Sequence, residues 1–353
     1  MELLIDKKKI CKKNSTYFIA EIGSNFDGSI ERAIALIKLA KESGADAAKF
    51  QHYTAKTLVS QKGFEKIKLK SHQSKWSGSV FEVYDKASLN VDWTRILHEE
   101  CKKQEIDFLT SPYSEELLKK TINYIPAIKV GSGDITHKKL LEKMLSYGKP
   151  IMLATGASTF KDVKRAADLF YGRVPLCIMQ CNTNYEAKPE DDQYQNLNVL
   201  TTYKENWPKA QVGLSCHRKG HLSVIGAVSL GARIIEKHFT DDDSRKGPDH
   251  AFAMNPLNFK KMVNEVRVLE RMLGSGEKEI EKNELSTYQV QRRSITLKED
   301  LSKGQIITDN NIDFLRPFLV NGFRPDESDK VIGMKVNKDL AKGTPIMRED
   351  LED

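Results

Sequence analysis

The chain has 353 residues, of which 30% are charged and 39% hydrophobic, and a formal net charge of +7. That length suits one large domain with an appendage, and the composition is that of an ordinary globular protein. No apolar run approaches the ~18 residues of a membrane span. The lysines are spread along the chain instead of forming the basic stripe with interleaved aromatics that nucleic-acid binders carry.

Five cysteines, at 11, 101, 177, 181 and 216, are odd in number and unpatterned. Cys177 and Cys181 have no second pair to complete a zinc knuckle. Reduced thiols, and a charged first segment (MELLIDKKKICKKN) without an apolar h-region, read as a cytoplasmic protein with no signal peptide.

In chain order, residues 17–22 (YFIAEI) form an apolar run ending near Glu21 and followed by GSNFDG. A helical pattern runs from Ile30 to Lys41, with Ser29 as its N-cap and Arg32 at the capping-box position. Gly44 ends it, and Ala45–Phe50 is a strand that exits at Lys49, Phe50 and Gln51. Residues 56–90 break the rhythm and read as an extended loop with a short helix, lying over the strand exits as a lid or rim. Residues 91–104 are helical. A strand at Asp107–Leu109 exits at Thr110, Ser111 and Pro112, and a helix follows through Leu117. The strand Ala127–Val130 carries Lys129 into Gly-Ser-Gly-Asp (131–134), and a helix then runs to Tyr147. The strand Pro150–Ala154 exits at Thr155, with a helix over Ala157–Leu169. The strand Pro175–Gln180 exits at Cys181, ahead of a polar, acidic loop at 186–196. Strands at 210–214 and 231–236 and a helix at Asn258–Leu273 complete the series.

Eight short strands alternating with helices argue for a closed (β/α)8 TIM barrel in an α/β chain. Every polar cluster falls after a strand and before a helix, and in a barrel those positions converge on one mouth. Beyond Gly276 the pattern changes. KEDLSKGQIITDNNI (298–312) matches NKDLAKGTPIMREDL (337–351) at an offset of 39, with Asp300/Asp339, Leu301/Leu340, Lys303/Lys342, Gly304/Gly343 and Ile307/Ile346 coinciding. Two copies of strand, glycine turn, strand and acidic turn predict a small, mostly β domain with pseudo-twofold symmetry. The division reads as a barrel over 1–276, a linker over 277–291 and the small domain over 292–353.

The expected mouth has a definite chemistry. AQVGLSCHR (210–218) and GARIIEKHFTDDDSRKGPDH (231–250) each deliver a histidine, His217 and His238, at the end of a strand. Paired imidazoles suit a divalent metal with positions open to substrate. Lys49 and Lys129, with Ser111, Ser132, Thr155 and Ser215 near helix starts, suit a phosphate or carboxylate. Glu21 offers a general base. Together these favour adding a phosphorylated carbon nucleophile to a carbonyl.

AEIGSNFDG (20–28), AAKFQ (47–51), IKVGSGD (128–134), LATGAS (153–158), GLSCHR (213–218), EKHFTDD (236–242) and GPDH (247–250) resemble the sialic acid synthase family, and the carboxyl-terminal repeat resembles that family's antifreeze-like SAF domain. The resemblance implies a transferase that condenses phosphoenolpyruvate with an N-acyl amino aldose, N-acetylmannosamine or a related hexosamine, and water. The products are a nonulosonic (2-keto-3-deoxy) acid and phosphate. It implies that Lys49, Ser111, Lys129, Ser132 and Ser215 hold phosphoenolpyruvate, and that His217 and His238 bind Mn(II), with Mg(II) or Co(II) as alternatives. Glu21 steers or deprotonates water, and Gln51, Asp134 and Asp249 contact the sugar. It further implies a domain-swapped homodimer in which Arg316 reaches the partner's site. Two motifs depart from the family: Asn25-Phe26-Asp27-Gly28 stands where Asn-His-Asn-Gly is usual, and Ser215-Cys216-His217-Arg218 where Ser-Asp-His-Thr is usual. These departures are expected to alter the sugar pocket or the surroundings of the metal. The competing readings are another phosphoenolpyruvate-dependent keto-deoxy sugar acid synthase and a catalytically silent glycan-binding relative.

Overall fold

The computed structural model describes residues 2–67, 72–76, 78–185 and 189–352, and the chain divides into two compact units, Met1–Gly274 and Ser275–Asp353. The first unit opens with an antiparallel hairpin of β1 (Leu3–Ile5) and β2 (Lys8–Ile10). Eight parallel strands follow: β3 (Tyr17–Gly23), β4 (Ala47–His52), β5 (Asp107–Pro112), β6 (Ile128–Val130), β7 (Ile151–Ala154), β8 (Leu176–Asn182), β9 (Gln211–Cys216) and β10 (Ile234–His238). Their ladder runs β5-β4-β3-β10-β9-β8-β7-β6, and β5 lies beside β6, which closes the ring. A helix follows every strand, so the unit is a (β/α)8 barrel.

Side chains alternate faces along a strand, and here that period of two sorts the chain into layers. Phe18, Ala48, Phe108, Leu153, Ile178 and Ile235 point outward into the apolar layer under the helices. Tyr17, Ile19, Ala47, Leu109, Met152 and Ile234 point into the lumen, where Leu3, Ile5 and Ile10 of the hairpin join them in one dry cluster. The hairpin therefore plugs the end of the barrel where the strands begin. Two residues further along the same inward faces stand Glu21, Lys49, Ser111, Lys129, Ser215 and Glu236, all buried. One more step of two reaches Gln51, His217 and His238.

The structure revises several sequence expectations. Strands β5, β8, β9 and β10 run two residues or more past their expected ends, so Ser111, Cys181, Ser215 and His238 lie in the ladder, not after it. Polar side chains facing the lumen do not interrupt the backbone hydrogen bonding. The 56–90 stretch is more helical than expected. It holds Ala55–Leu58, Gln61–Phe64 and Val80–Ala87, capped by Thr54, Ser60 and Ser79, and 68–71 and 77 lie outside the described residues. The 186–196 loop contains a 3-10 segment at Pro189–Tyr194, and 186–188 lie outside the described residues. Helices at Val199–Asn206 and Leu222–Ser229 were not anticipated. Neither has a side-chain cap, and the second is apolar apart from Ser223 and Ser229, which leaves little 3.6-residue period to read.

In the second unit, β11 (Ser294–Leu297) pairs antiparallel with β12 (Ile312–Leu315). The two sequence copies face each other through reciprocal contacts. Leu301 and Leu340 exchange backbone hydrogen bonds of 2.9 and 2.8 Å. Asp339 accepts from Lys303 N at 2.7 Å and Asp300 accepts from Lys342 N at 2.7 Å. Ile295, Leu297, Leu301, Ile307, Val336, Leu340 and Ile346 supply its core.

The hairpin plug carries a prediction. Ile5 is fully buried, so Ile5→Ala should cost about 2–5 kcal/mol. An unchanged urea midpoint would show that the hairpin does not seal the lumen.

Candidate active site

The charged layer of the lumen can be built from strand register alone. Glu21 pairs with Lys49 on one side and with His238 on the other, and Glu236 pairs with Ser215. The side chains then close on one another. Lys49 Nζ stands 2.5 Å from Glu21 Oε2 and 3.7 Å from Glu236 Oε1, and Lys129 Nζ stands 3.4 Å from that same Glu236 oxygen. Ser215 Oγ donates to Glu236 Oε1 at 3.2 Å and Lys49 donates to Ser111 Oγ at 3.4 Å. Gln51 Nε2 donates to Glu21 Oε1 at 2.6 Å. One carboxylate thus lies between two buried ammonium groups, with a second carboxyl beside one of them.

Burial opposes the charge on Glu236, but Lys129 and Lys49 outweigh it, and this carboxyl is held below the ordinary range. Burial dominates at Glu21 and, with Glu236 nearby, pushes it up to about 7 against the pull of Lys49. Burial also opposes the charge on Lys49, yet Glu21 and Glu236 overcome it and hold the ammonium above its usual value. Lys49 and Glu236 are held in their ionised forms, and Glu21 is poised between its two forms.

The two histidines come together above this layer, with ring centroids 5.2 Å apart. His217 Nδ1 lies 3.1 Å from the carbonyl of Asn182. A carbonyl only accepts, so Nδ1 carries the proton and Nε2 keeps its lone pair. His238 Nδ1 is buried without a hydrogen-bond partner. Burial lowers His217 to about 4 and His238 well below its ordinary value, so both rings are neutral, as ligation requires. Phe252 packs edge-on against both rings, at 6.0 and 4.8 Å. Two neutral imidazoles, one with an orphaned nitrogen, fit a divalent cation whose other positions are open. Among the described residues no group of three or more His, Cys, Asp or Glu gathers as a closed metal cage.

Asp249 arrives from the loop after β10, and Ser24 N donates to its Oδ2 at 3.2 Å. Gly23 permits this approach. Its φ is +55°, and a Cβ there would lie 2.8 Å from Asp249 Oδ2. Ser132 Oγ accepts from Gly156 N at 3.0 Å, where any side chain on Gly156 would press on Ser132 and Cys181.

A cavity of about 370 Å³, in the size range of small-molecule sites, is lined by Glu21, Lys49, Gln51, Ser111, Lys129, Ser132, Ser215, His217, His238 and Asp249. These are ten of the twelve residues expected from the sequence. Asp134, in the 3-10 turn Ser132–Asp134, is not among the lining residues, and burial pushes its carboxyl up to about 6. Arg316 belongs to the second unit, at a cis peptide with Pro317. Glu236 is the residue that sequence reasoning left out of the site. Its signal was present, because a residue two before His238 on the same strand must share its face.

The motif departures fall elsewhere than expected. Phe26 is buried against Trp93, with centroids 6.3 Å apart. Asp27 ties down the 240–250 loop by accepting from His250 Nε2 at 2.9 Å and Arg245 at 2.8 Å. His250 Nδ1 meets Thr240 Oγ1 at 2.8 Å, so this third histidine is a loop fastener. Cys216 points out of the lumen to Ser223, 3.2 Å away, and Arg218 pairs with Asp192. The alternation explains this, because Cys216 is one residue from Ser215 and must face the opposite way.

Residues 36–278 match the NeuB family and residues 292–352 the SAF domain. An N,N'-diacetyllegionaminic acid synthase of Legionella pneumophila is 35% identical, over 95% of this chain and 94% of its own. A pseudaminic acid synthase of Campylobacter jejuni is 30% identical, over 95% and 96%. The crystal structure of an N-acetylneuraminic acid synthetase from Leptospira borgpetersenii, in complex with citrate, superposes with a TM-score of 0.71 at 26% identity, covering 81% of this chain and 95% of that one. With the family match spanning most of the barrel, this chain belongs to the NeuB family and carries a SAF domain at its carboxyl end.

Proposed function

We propose that the protein is a sialic-acid-type synthase that condenses phosphoenolpyruvate with an N-acyl amino aldose, N-acetylmannosamine or a related hexosamine, and water, releasing a nonulosonic acid and phosphate. The observation that carries this reading is the meeting of Lys49 and Lys129 at one Glu236 oxygen, in the cavity that also holds both imidazoles. Relatives of three named product classes share the chain's length and order.

In this reading Lys49, Lys129, Ser111, Ser132 and Ser215 receive the phosphate and carboxylate of phosphoenolpyruvate. His217 and His238 hold the divalent metal, Mn(II) in first place, which supplies Lewis-acid polarisation of the sugar aldehyde. Gln51 and Asp249 align the open-chain sugar. The enol electron pair of phosphoenolpyruvate forms the bond from its C3 to the aldehyde carbon, and the aldehyde oxygen takes a proton. Positive charge develops at C2, where water adds as ionised Glu21 accepts its proton. The C2–O bond then breaks, phosphate leaves with its electron pair, and the remaining hydroxyl loses its proton to become the ketone. The working form in this reading is a homodimer, with the partner subunit's Arg316 reaching the sugar.

Three results test these assignments. Phosphoenolpyruvate labelled with 18O at its bridging oxygen should yield labelled phosphate, only when Mn(II) and an N-acyl hexosamine are both present. Unlabelled phosphate, or release without the sugar, would contradict the C–O cleavage.

Glu21 is protonated below about 7 and ionised above it, so log kcat/KM should rise with pH and level off near 7. Glu21→Gln should lower kcat by about 10²–10⁴ and remove that inflection. An unchanged profile would take the base role away. Because the folded chain keeps a proton that the unfolded chain releases near 4.5, this group removes stability as pH rises from about 4.5 to 7.

Glu236→Gln should leave Lys129 without its carboxylate partner and Lys49 with Glu21 alone, and cost about 3–5 kcal/mol. Added inorganic phosphate should then raise its melting temperature more than that of the wild type. An equal rise in both would show that Glu236 does not balance the lysines.

A further inference from the structure

Two residues along the inward face from Lys129 stands Gly131, and two from Ser111 stands Tyr113. Tyr113 N donates to His52 O at 3.0 Å, which keeps the chain in line with β4 one residue past β5. Its ring then leans across to the neighbouring strand, β6, and covers Gly131. A Cβ on Gly131 would lie 3.0 Å from Tyr113 Oη and 3.3 Å from Cε1 and Cζ, so the missing side chain makes room for the ring. Tyr113 lines the cavity together with Lys129, Gly131 and Ser132, while Phe64, Trp76 and Val83 of the segment after β4 line it elsewhere. Nearby tyrosine hydroxyls are committed to protein groups: Tyr53 Oη meets Ser24 Oγ at 3.0 Å, and Tyr84 Oη accepts from Gln73 at 3.4 Å. Tyr113 Oη meets no hydrogen-bond partner among the described residues. Burial, with the charges of Asp134 and Glu21 nearby, keeps its proton in place, so the group is a donor.

The two lysines are unequally compensated. Lys49 has Glu21 at 2.5 Å and Glu236 at 3.7 Å, whereas among the described residues Lys129 has Glu236 alone, at 3.4 Å. Of the two anionic groups of phosphoenolpyruvate, the phosphate carries the greater charge and the more acceptor oxygens. It gains most beside the less compensated ammonium, which is the side where Ser132 and Tyr113 stand. We infer that Tyr113 is a further catalytic residue, whose hydroxyl donates a hydrogen bond to the phosphate of phosphoenolpyruvate seated on Lys129 and Ser132. That bond strengthens as the C2–O bond breaks and its electron pair moves onto the departing phosphate, so it speeds the reaction as well as tightening the complex. The tyrosine keeps its proton throughout. This inference rests on the proposed function, which supplies both the ligand and the bond that breaks.

The test compares the full-length protein with Tyr113→Phe, which removes the hydroxyl and leaves the ring against Gly131 and Tyr53, 6.0 Å away. Metal-free calorimetric titrations with phosphoenolpyruvate, with inorganic phosphate and with pyruvate separate the two anionic ends of the ligand. The variant should bind phosphoenolpyruvate and phosphate about tenfold more weakly, with the Kd for pyruvate within about twofold of the wild type. With Mn(II) and an accepted N-acyl hexosamine, kcat should fall about a hundredfold while the KM for the sugar stays within about twofold. Unchanged affinity for phosphoenolpyruvate and phosphate, an equal loss for pyruvate, or a change confined to the KM for the sugar overturns the inference and leaves the proposed reaction standing. A wild type that binds neither phosphoenolpyruvate nor phosphate removes the proposed function, and this inference with it. A loss for phosphate that spares pyruvate upholds the role of Tyr113, whichever sugars are turned over.

Discussion

Two ammonium groups buried inside a barrel cannot stand alone, and their compensation by Glu236, with Glu21 beside Lys49, is the constraint on which the site depends. An isolated buried charge costs several kcal/mol, and attraction to a partner repays it only where the geometry is close. Here Lys49 and Lys129 reach one carboxylate oxygen at 3.7 and 3.4 Å. Glu21, the other nearby acid, is pushed up to about 7 by burial and by Glu236. Below that pH the layer carries two positive charges against one negative charge. The imbalance favours an incoming anion, and the serine hydroxyls around it offer hydrogen bonds that bulk water would otherwise supply.

The same alternation that builds the barrel builds the site. Inward positions carry apolar residues where the strands begin, charges two residues on, and imidazoles and an amide two residues further. The hairpin seals the apolar end with Leu3, Ile5 and Ile10, so the charged layer is backed by dry packing and opens only toward the mouth. Outward positions pack against the helices, which is why Cys216, though inside a site motif, ends in a contact with Ser223; Phe26, in the turn after β3, packs on Trp93.

Much of this was legible in the sequence. Strand ends with Lys49, Lys129, His217 and His238 announced one mouth, because parallel strands deliver their exits to one side. The extent of the strands was less legible, since polar residues look like loop signals when the lumen that accepts them is not yet in view. Glu236 was read as the last residue of its strand and left out of the site, although its spacing from His238 placed it on the same face. The 56–90 stretch was read as an extended loop with a single short helix, whereas it holds several, started by Thr54, Ser60 and Ser79. Its apolar residues are scattered in sequence and become a wall only in three dimensions. The hairpin was hidden by its length, because strands of three residues give no period to detect.

Calorimetric titration of phosphoenolpyruvate into the protein and into Lys129→Met, with unfolding midpoints recorded alongside, addresses the charged layer most directly. The account predicts one site per chain in the wild type and a loss on the order of a hundredfold in the folded variant. Equal affinity in two equally folded proteins would mean that the buried lysines serve the barrel and not a ligand.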